Sequence, residues 1–303
     1  MSSFFCGAVL IFTQAAWGQA GAPPAQDTQL PGAQTPTPKQ PNAQLAAPRE
    51  VPSAVNTGAG LWFEPIYWRS STSASIRQGT LDAQVDPGNF KYPGSANKGL
   101  GARVSVPIGK NGTLRVSYFR NKNAASTTAA TNLNLFRVQV TKGDPIEGDY
   151  KMESFKASYD YLTYFWRGKN SEVRVKTLYE VQRFSFTNNL VDFTPFDLTT
   201  DPPTFTLNPA SGTLSVFLPT FGVGLEQTVS RHFRWEAKAS GFGLYHGPDI
   251  VDSEALIAYR ISHYEITAGA RYFHWKTNPK KEHYNVGSTY GPFVSLRYYW
   301  KKQ

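Results

Sequence analysis

Acid–base or metal chemistry in this sequence would start from its five histidines, His232, His246, His263, His274 and His283, the side chains that ordinarily titrate near neutrality. No His-Glu-x-x-His run or paired-ligand spacing occurs among them, so no metal site is expected. His246 has carboxylates close by, with Asp249, Asp252 and Glu254 following it, a set that could activate water for hydrolysis. A histidine beside carboxylates in an exposed loop is also what an ordinary solvated rim presents, and the chain is read as non-enzymatic. Gly99-Leu-Gly101 lacks the third glycine of a dinucleotide loop, and Gly109-Lys-Asn-Gly112-Thr113 reads as a hairpin turn without the Walker spacing. No cofactor is therefore expected. The single cysteine, Cys6, lies in a segment expected to be removed, which leaves no thiol for a disulfide, a zinc site or a nucleophile.

The remaining chemistry is carried by charge. Lys and Arg number 31 against 22 acids, a net charge of +9 that calls for an anionic neighbour or an internal balance. The arrangement of these charges follows a period of two. One face of the successive runs carries Leu100, Ala102, Val104, Val106; Leu114, Val116, Tyr118; Phe155, Ala157, Tyr159, Tyr161; Val173, Val175, Tyr179, Val181; and it continues through Phe221, Val223, Leu225, Trp235, Ile257, Ile266, Ala268 and Val294 to Leu296. The opposite face carries Arg103, Arg115, Lys156, Asp160, Arg174, Lys176, Glu180, Glu226, Arg234, Glu236, Lys238, Asp252, Glu254, Arg260, Glu265, Arg271 and Arg297. Alternation of this kind specifies strands, because successive side chains leave a strand on opposite sides. The 14% aromatic content agrees, since flat rings pack well on pleated surfaces. A mean hydropathy of −0.39 excludes a bundle of membrane helices. Nucleic-acid binding is not expected either, because the cations face one side of strands or scatter over loops without forming a stripe.

Residues 1–20 read as a signal peptide, with an apolar run from Phe4 to Phe12 too short to span a bilayer and small residues at Gly18-Gln19-Ala20. Residues 21–57 contain 8 of the 21 prolines and no Phe, Trp or Tyr, which cannot offset the entropy of ordering and reads as a disordered linker, periplasmic if the chain is an outer-membrane barrel. Residues 58–303 hold ten expected strands, near 60–69, 98–108, 112–121, 150–164, 172–187, 213–227, 232–243, 250–260, 263–275 and 289–300. Eight or twelve stay open, because Leu133 to Val140 and Thr204 to Leu207 also read as β. Short links alternate with longer ones, the asymmetry of an up-and-down antiparallel barrel with tight turns at one end. A soluble sandwich would also alternate, and is the other architecture to consider. Under the barrel topology Trp62, Tyr164, Phe165, Trp166, Phe233, Trp235, Tyr264, Tyr298 and Trp300 fall near the short-turn ends and would form one outward aromatic girdle. The inward charges would fill the lumen as a mixed-sign plug.

The final run, Gly291-Pro-Phe-Val-Ser-Leu-Arg-Tyr-Tyr-Trp300, resembles the C-terminal β-signal of bacterial outer-membrane proteins, and residues 58–303 resemble the small OmpA/OmpX-like barrels. That resemblance implies an all-β barrel in a Gram-negative outer membrane with both termini periplasmic. It also implies recognition of residues 291–300 by the barrel-assembly machinery, and outer-membrane lipids and lipopolysaccharide as neighbours. Three roles follow in order. The first is a structural or surface-binding barrel acting through long outer loops at Asn121 to Asp149 and Asn188 to Ser211; the second is a narrow, weakly anion-preferring channel lined by Arg103, Arg115, Arg174 and Arg271. The third is an omptin-like hydrolase around His246 and Asp249. Outer-membrane deacylases place a Ser and a His on the outward face, and no outward histidine is expected in a strand core here.

Overall fold

The computed structural model describes residues 60–78, 90–92, 96–129, 132–135, 138–168, 171–197, 204–281 and 283–300. The expected signal peptide and linker, residues 1–57, lie outside the described residues. The strands are β1 (Trp62–Gln78), β2 (Phe90–Tyr92), β3 (Ala96–Ile108), β4 (Gly112–Thr128), β5 (Leu133–Leu135), β6 (Val138–Val140), β7 (Pro145–Arg167), β8 (Glu172–Asp197), β9 (Thr204–Thr228), β10 (Phe233–Gly243), β11 (Asp249–Ile261), β12 (Tyr264–Lys276) and β13 (His283–Tyr299). Every pairing is antiparallel. β1, β3, β4 and β7 to β13 join in sequence order, and β13 pairs back to β1 from Trp62↔Tyr299 to Gln78↔His283, which closes a ten-stranded barrel. Closure leaves these ten strands without a free edge, which a single open sheet cannot achieve.

Tight turns lie at one end. Gly109 takes φ 63 between β3 and β4, and Ser262 takes φ 56 in the two-residue link from β11 to β12. A left-handed φ costs glycine nothing, which fits Gly109 to its corner. At the other end the expected loops are largely strand. Asn121–Thr128 pairs with Pro145–Met152, and Asn188–Asp197 pairs with Thr204–Gly212, so β7, β8 and β9 reach 23 to 26 residues. Thr204 to Leu207 extends this hairpin, and β5 and β6 make a separate two-stranded sheet, so neither adds a barrel strand. β2 pairs with Ala74–Ile76 on the same edge of β1 that β3 occupies lower down, and so prolongs that wall.

The alternation sorts the two faces. Leu100, Val223, Ile257, Ile266 and Val294 are all more than half exposed on the outside. Their neighbours Arg103, Glu226, Glu265 and Arg297 are buried inside. One irregularity interrupts the pattern: the register of β7 against β8 shifts between Leu162 and Tyr164. That bulge turns Phe165 from the outer wall toward Arg174, whose guanidinium lies 5.9 Å from its ring.

Candidate functional site: the lumen and its seal

Inward side chains change character along the strands. On β8 the inward order from the short turns is Arg174, Lys176, Leu178, Glu180, Gln182, Phe184, Phe186; on β12 it is Glu265, Thr267, Gly269, Arg271, Phe273, Trp275. The lumen is therefore charged toward the short-turn end and aromatic toward the long hairpins.

The charged zone holds ten cations against eight carboxylates, once Glu64 of β1 is added to the set expected from sequence. Glu64 is fully buried; it accepts a bond of 2.9 Å from Nη2 of Arg297 and lies 3.9 Å from Arg103. Glu265 is the hub of the network. Its carboxylate meets Arg234 at 2.6 Å, Arg297 at 2.9 Å and Arg260 at 3.0 Å. Arg234 also donates to Glu236 at 3.0 Å, and Glu236 meets Lys238 as well. Arg115 pairs with Asp160 at 2.7 Å, Lys176 with Glu226 at 2.6 Å, and Arg174 approaches Glu226 at 3.7 Å. Higher up, Arg103 pairs with Glu254, while Lys156 joins Asp252 at 2.8 Å to Glu180 at 3.3 Å. Arg271 donates to Asp252 through both Nε and Nη2. All seventeen charged residues placed on the inward face from sequence thus line one interior. Desolvation offsets much of the attraction in buried pairs, so such a network fixes geometry more than it adds stability.

Over this zone sits an aromatic seal. Arg271 marks the boundary, its guanidinium 4.3 Å from the Phe119 ring and 5.4 Å from that of Trp68. Phe119 packs on Phe273 at 5.4 Å, Phe184 on Trp275 at 4.9 Å, and Tyr150 on Phe186 at 4.9 Å. Ile76, Ile146, Met152 and Ile250 fill between them and are almost wholly buried. Polar edges find partners: the Trp275 indole donates to Asn285, Tyr92 to Asn188 at 2.9 Å, and Asn97 to the Tyr150 hydroxyl at 2.8 Å. Space for water in the charged zone includes about 50 Å³ beside Arg115 and Asp160, about 30 Å³ beside Lys156 and Asp252, and about 200 Å³ at the short-turn mouth between Arg174, Arg260 and Glu265. At roughly 10–15 Å³ for each water, the two inner pockets hold a few molecules each, and it is the aromatic layer above them that closes the lumen toward the long hairpins.

The aromatic girdle needs two corrections. Tyr164, Trp166, Tyr264, Tyr298 and Trp300 face outward near the short turns, and Trp235 lies on the same face, donating to Gln227 at 2.9 Å. Trp62 does not join them. It is buried in the lumen, where Arg297 stacks on its ring at 4.1 Å. The second correction is Phe165, turned inward by the bulge. Between Leu61 and Trp68 both faces carry large apolar side chains, and Glu64 is the one charge that marks the inward face, the face Trp62 shares. A second outward ring, Tyr67, Tyr118, Phe155, Phe217, Tyr272 and Tyr290, marks the other end of the apolar wall.

The expected rim pair is also rearranged. His246 is held in a tight turn at φ 51 against Tyr245, while Asp249 turns to His274, with Oδ1 3.3 Å from Nε2. His274 points outward near the long-hairpin end of β12, away from the strand cores in which no outward histidine is expected. Ser288 stands opposite it in register, but no hydrogen bond joins Ser288 to His274 among the described residues. A nucleophile–base bond is the first geometric requirement for covalent hydrolysis. No group of three or more His, Cys, Asp or Glu able to hold a metal occurs among the described residues.

No protein-family model matches the sequence, and no curated protein matches it. Among solved structures, the chain is similar to the outer membrane protease OmpT from Escherichia coli at 7% identity and TM-score 0.48, covering 80% of this chain and 97% of that one. It is also similar to Ail, the attachment invasion locus protein of Yersinia pestis, at 9% identity and TM-score 0.34, over 78% of this chain and 99% of that one. The toluene transporter TodX of P. putida follows at 8% identity and TM-score 0.32, over 83% and 93%. With identities below 10% and TM-scores below 0.5, none of these proteins lends its activity to this chain.

Proposed function

We propose that this chain is an integral, non-enzymatic outer-membrane barrel whose lumen is sealed, and whose role is structural or surface-binding, exercised on its outer wall and tall hairpins. The observation that carries this reading is the inversion of faces: charges are buried inside while a continuous apolar wall is exposed outside. An exposed apolar surface of this extent has no place in water. Its height fits a membrane. From Tyr264 to Tyr272, strand β12 exposes apolar residues over a rise of about 27 Å, or about 21 Å once tilted by ~40°, close to the ~25 Å band of outer-membrane barrels. In this reading the short turns are periplasmic, both ends of the barrel chain lie on that side, and residues 291–300 serve the barrel-assembly machinery. Lipopolysaccharide and other outer-membrane lipids are the neighbours of the wall.

The detergent-solubilised protein is expected to migrate differently on SDS gels before and after boiling, and to be electrically silent in planar bilayers. Identical migration would remove the membrane reading. Steady openings whose selectivity changes on neutralising Arg174 would replace the sealed barrel with a channel. The wall itself gives a further expectation. Val104→Arg, Ala157→Arg and Ala268→Arg should each cost about 2 to 4 kcal/mol if near the bilayer midplane, whereas the inward Ser105→Asn, beside the water pocket, should cost less. Equal losses in urea unfolding would mean that the outward face is not in lipid.

A further inference from the structure

The apolar wall does not end in the same way all round the barrel. Outward side chains on β1, β3, β4, β7 and β8 are uncharged, and apolar apart from Thr163 and Thr177, up to one residue, and that residue is Arg69, Lys98, Arg120, Glu153 and Arg183 in turn. One step beyond stand Lys122 on β4 and Lys151 on β7. On β9, β11, β12 and β13 the corresponding residues are Ser215, Ser253, His274 and Ser288, with Lys276 one step beyond. Half of the circumference therefore carries a collar of six cations and one carboxylate.

Two features mark this collar as a place for an anion. Arg69 stands directly opposite Lys98, and Lys122 directly opposite Lys151, and like charges in that relation repel across a sheet. Internal neutralisation is slight. Glu153 pairs with Lys151 at 2.9 Å and lies 3.8 Å from Nε of Arg120, which has no hydrogen-bond acceptor. Arg69, Lys98, Lys122 and Arg183 form no ion pair among the described residues. Nor does the lumen account for the protein's +9, since its cations and carboxylates nearly cancel. Directly below the collar lie Tyr67, Leu100, Tyr118 and Phe155, exposed and apolar, so the surface offers an acyl-chain wall with cations at its upper edge.

We propose that this collar seats the phosphates of a phosphorylated glycolipid of the outer leaflet, whose acyl chains lie on the wall beneath. The proposal rests on the membrane reading above and adds the partner's chemistry and side of approach. Arg69 and Arg120 supply planar forks for phosphate oxygens, and Lys98 and Lys122 supply point charges between them.

The full chain, folded in detergent micelles, is to be titrated with bis-phosphorylated lipid A and with the same lipid after removal of its phosphates. Dephosphorylation is expected to weaken binding by about ten-fold or more, the size of one lost charge-assisted hydrogen bond. The triple variant R69Q/K98Q/R120Q should lose the same preference, while the reverse-side variant K276Q should keep it. Equal binding of the two lipids by the unaltered protein would overturn the proposal, and so would an unchanged preference in the triple variant. Competition by inorganic phosphate alone, or equal binding of phosphatidylglycerol, would overturn the glycolipid as occupant. Heat-shifted gel mobility reports the barrel in every case, so failure of the collar and failure of the membrane reading give different results. If the triple variant does not fold, the comparison of the two lipids on the unaltered protein still decides.

Discussion

Glu265→Ala is expected to destabilise the folded barrel by about 3 to 5 kcal/mol, the loss typical of breaking a buried ion pair from one side. Glu265 is 1% exposed and receives three guanidinium groups, from Arg234, Arg297 and Arg260. Removing it leaves Arg297 with Glu64 alone and Arg234 with a Glu236 shared with Lys238, in an interior where Glu226 is already engaged by Lys176. The outward Glu153→Ala supplies the contrast. Its carboxylate bridges Lys151 and Arg120 at a partly exposed site, where a pair contributes about 0 to 1 kcal/mol. Urea unfolding of both variants in detergent, followed by tryptophan fluorescence, measures the difference. A loss below about 1 kcal/mol for Glu265→Ala would mean that the lumen is hydrated enough to solvate the freed guanidinium groups.

Trp275→Ala is expected to cost a similar amount, about 3 to 5 kcal/mol for a fully buried ring. Trp275 touches Phe184 at 4.9 Å, Phe273 at 5.7 Å and Phe186 at 5.8 Å, and its indole donates to Asn285. The substitution opens a cavity at the centre of the seal and leaves the Asn285 carbonyl without that donor. A second effect separates this site from any other core position. With the ring gone, and more so in Phe184→Ala/Trp275→Ala, the water pockets near Lys156 and Asp252 gain an outlet toward the long hairpins. The double variant should therefore show transient conductance where the unaltered protein is silent. A folded but silent double variant would mean that the ion network alone blocks the lumen.

The faces of most strands were legible from sequence because charge and apolarity alternate cleanly there, as in Glu265-Ile266-Thr267-Ala268. The same signal is weak where both faces are largely apolar. From Leu61 to Trp68 the lumen side carries Trp62, Ile66 and Trp68, and Glu64 alone distinguishes that side from Leu61, Phe63, Pro65 and Tyr67. The seal was invisible for a related reason: Phe184, Phe186, Phe273 and Trp275 look like wall residues until the register places them inside. The collar is a matter of distance along the chain. Arg69, Lys98, Arg120 and Arg183 are scattered over more than a hundred residues, and only cross-strand pairing shows that they end the same wall. His274 as the neighbour of Asp249 is likewise a matter of pairing, since it lies nearly thirty residues from His246 and is brought there by the β11–β12 register.

The seam between β1 and β13 carries a kinetic consequence. The Trp68 indole reaches the Gly291 carbonyl, and Ser295 and Arg297 reach Glu64, between residues 223 to 233 positions apart. Closing a loop of that length costs about 5 kcal/mol in its length-dependent entropy alone, and neither strand has its full set of hydrogen bonds until both are in place. Partially assembled chains therefore present two long, unpaired edges at once. Glu64 secures the seam only after closure, because two of its partners lie on the last strand. It acts as a latch against opening and gives no help to nucleation, so the barrel's lifetime is set by a contact that its early folding never samples.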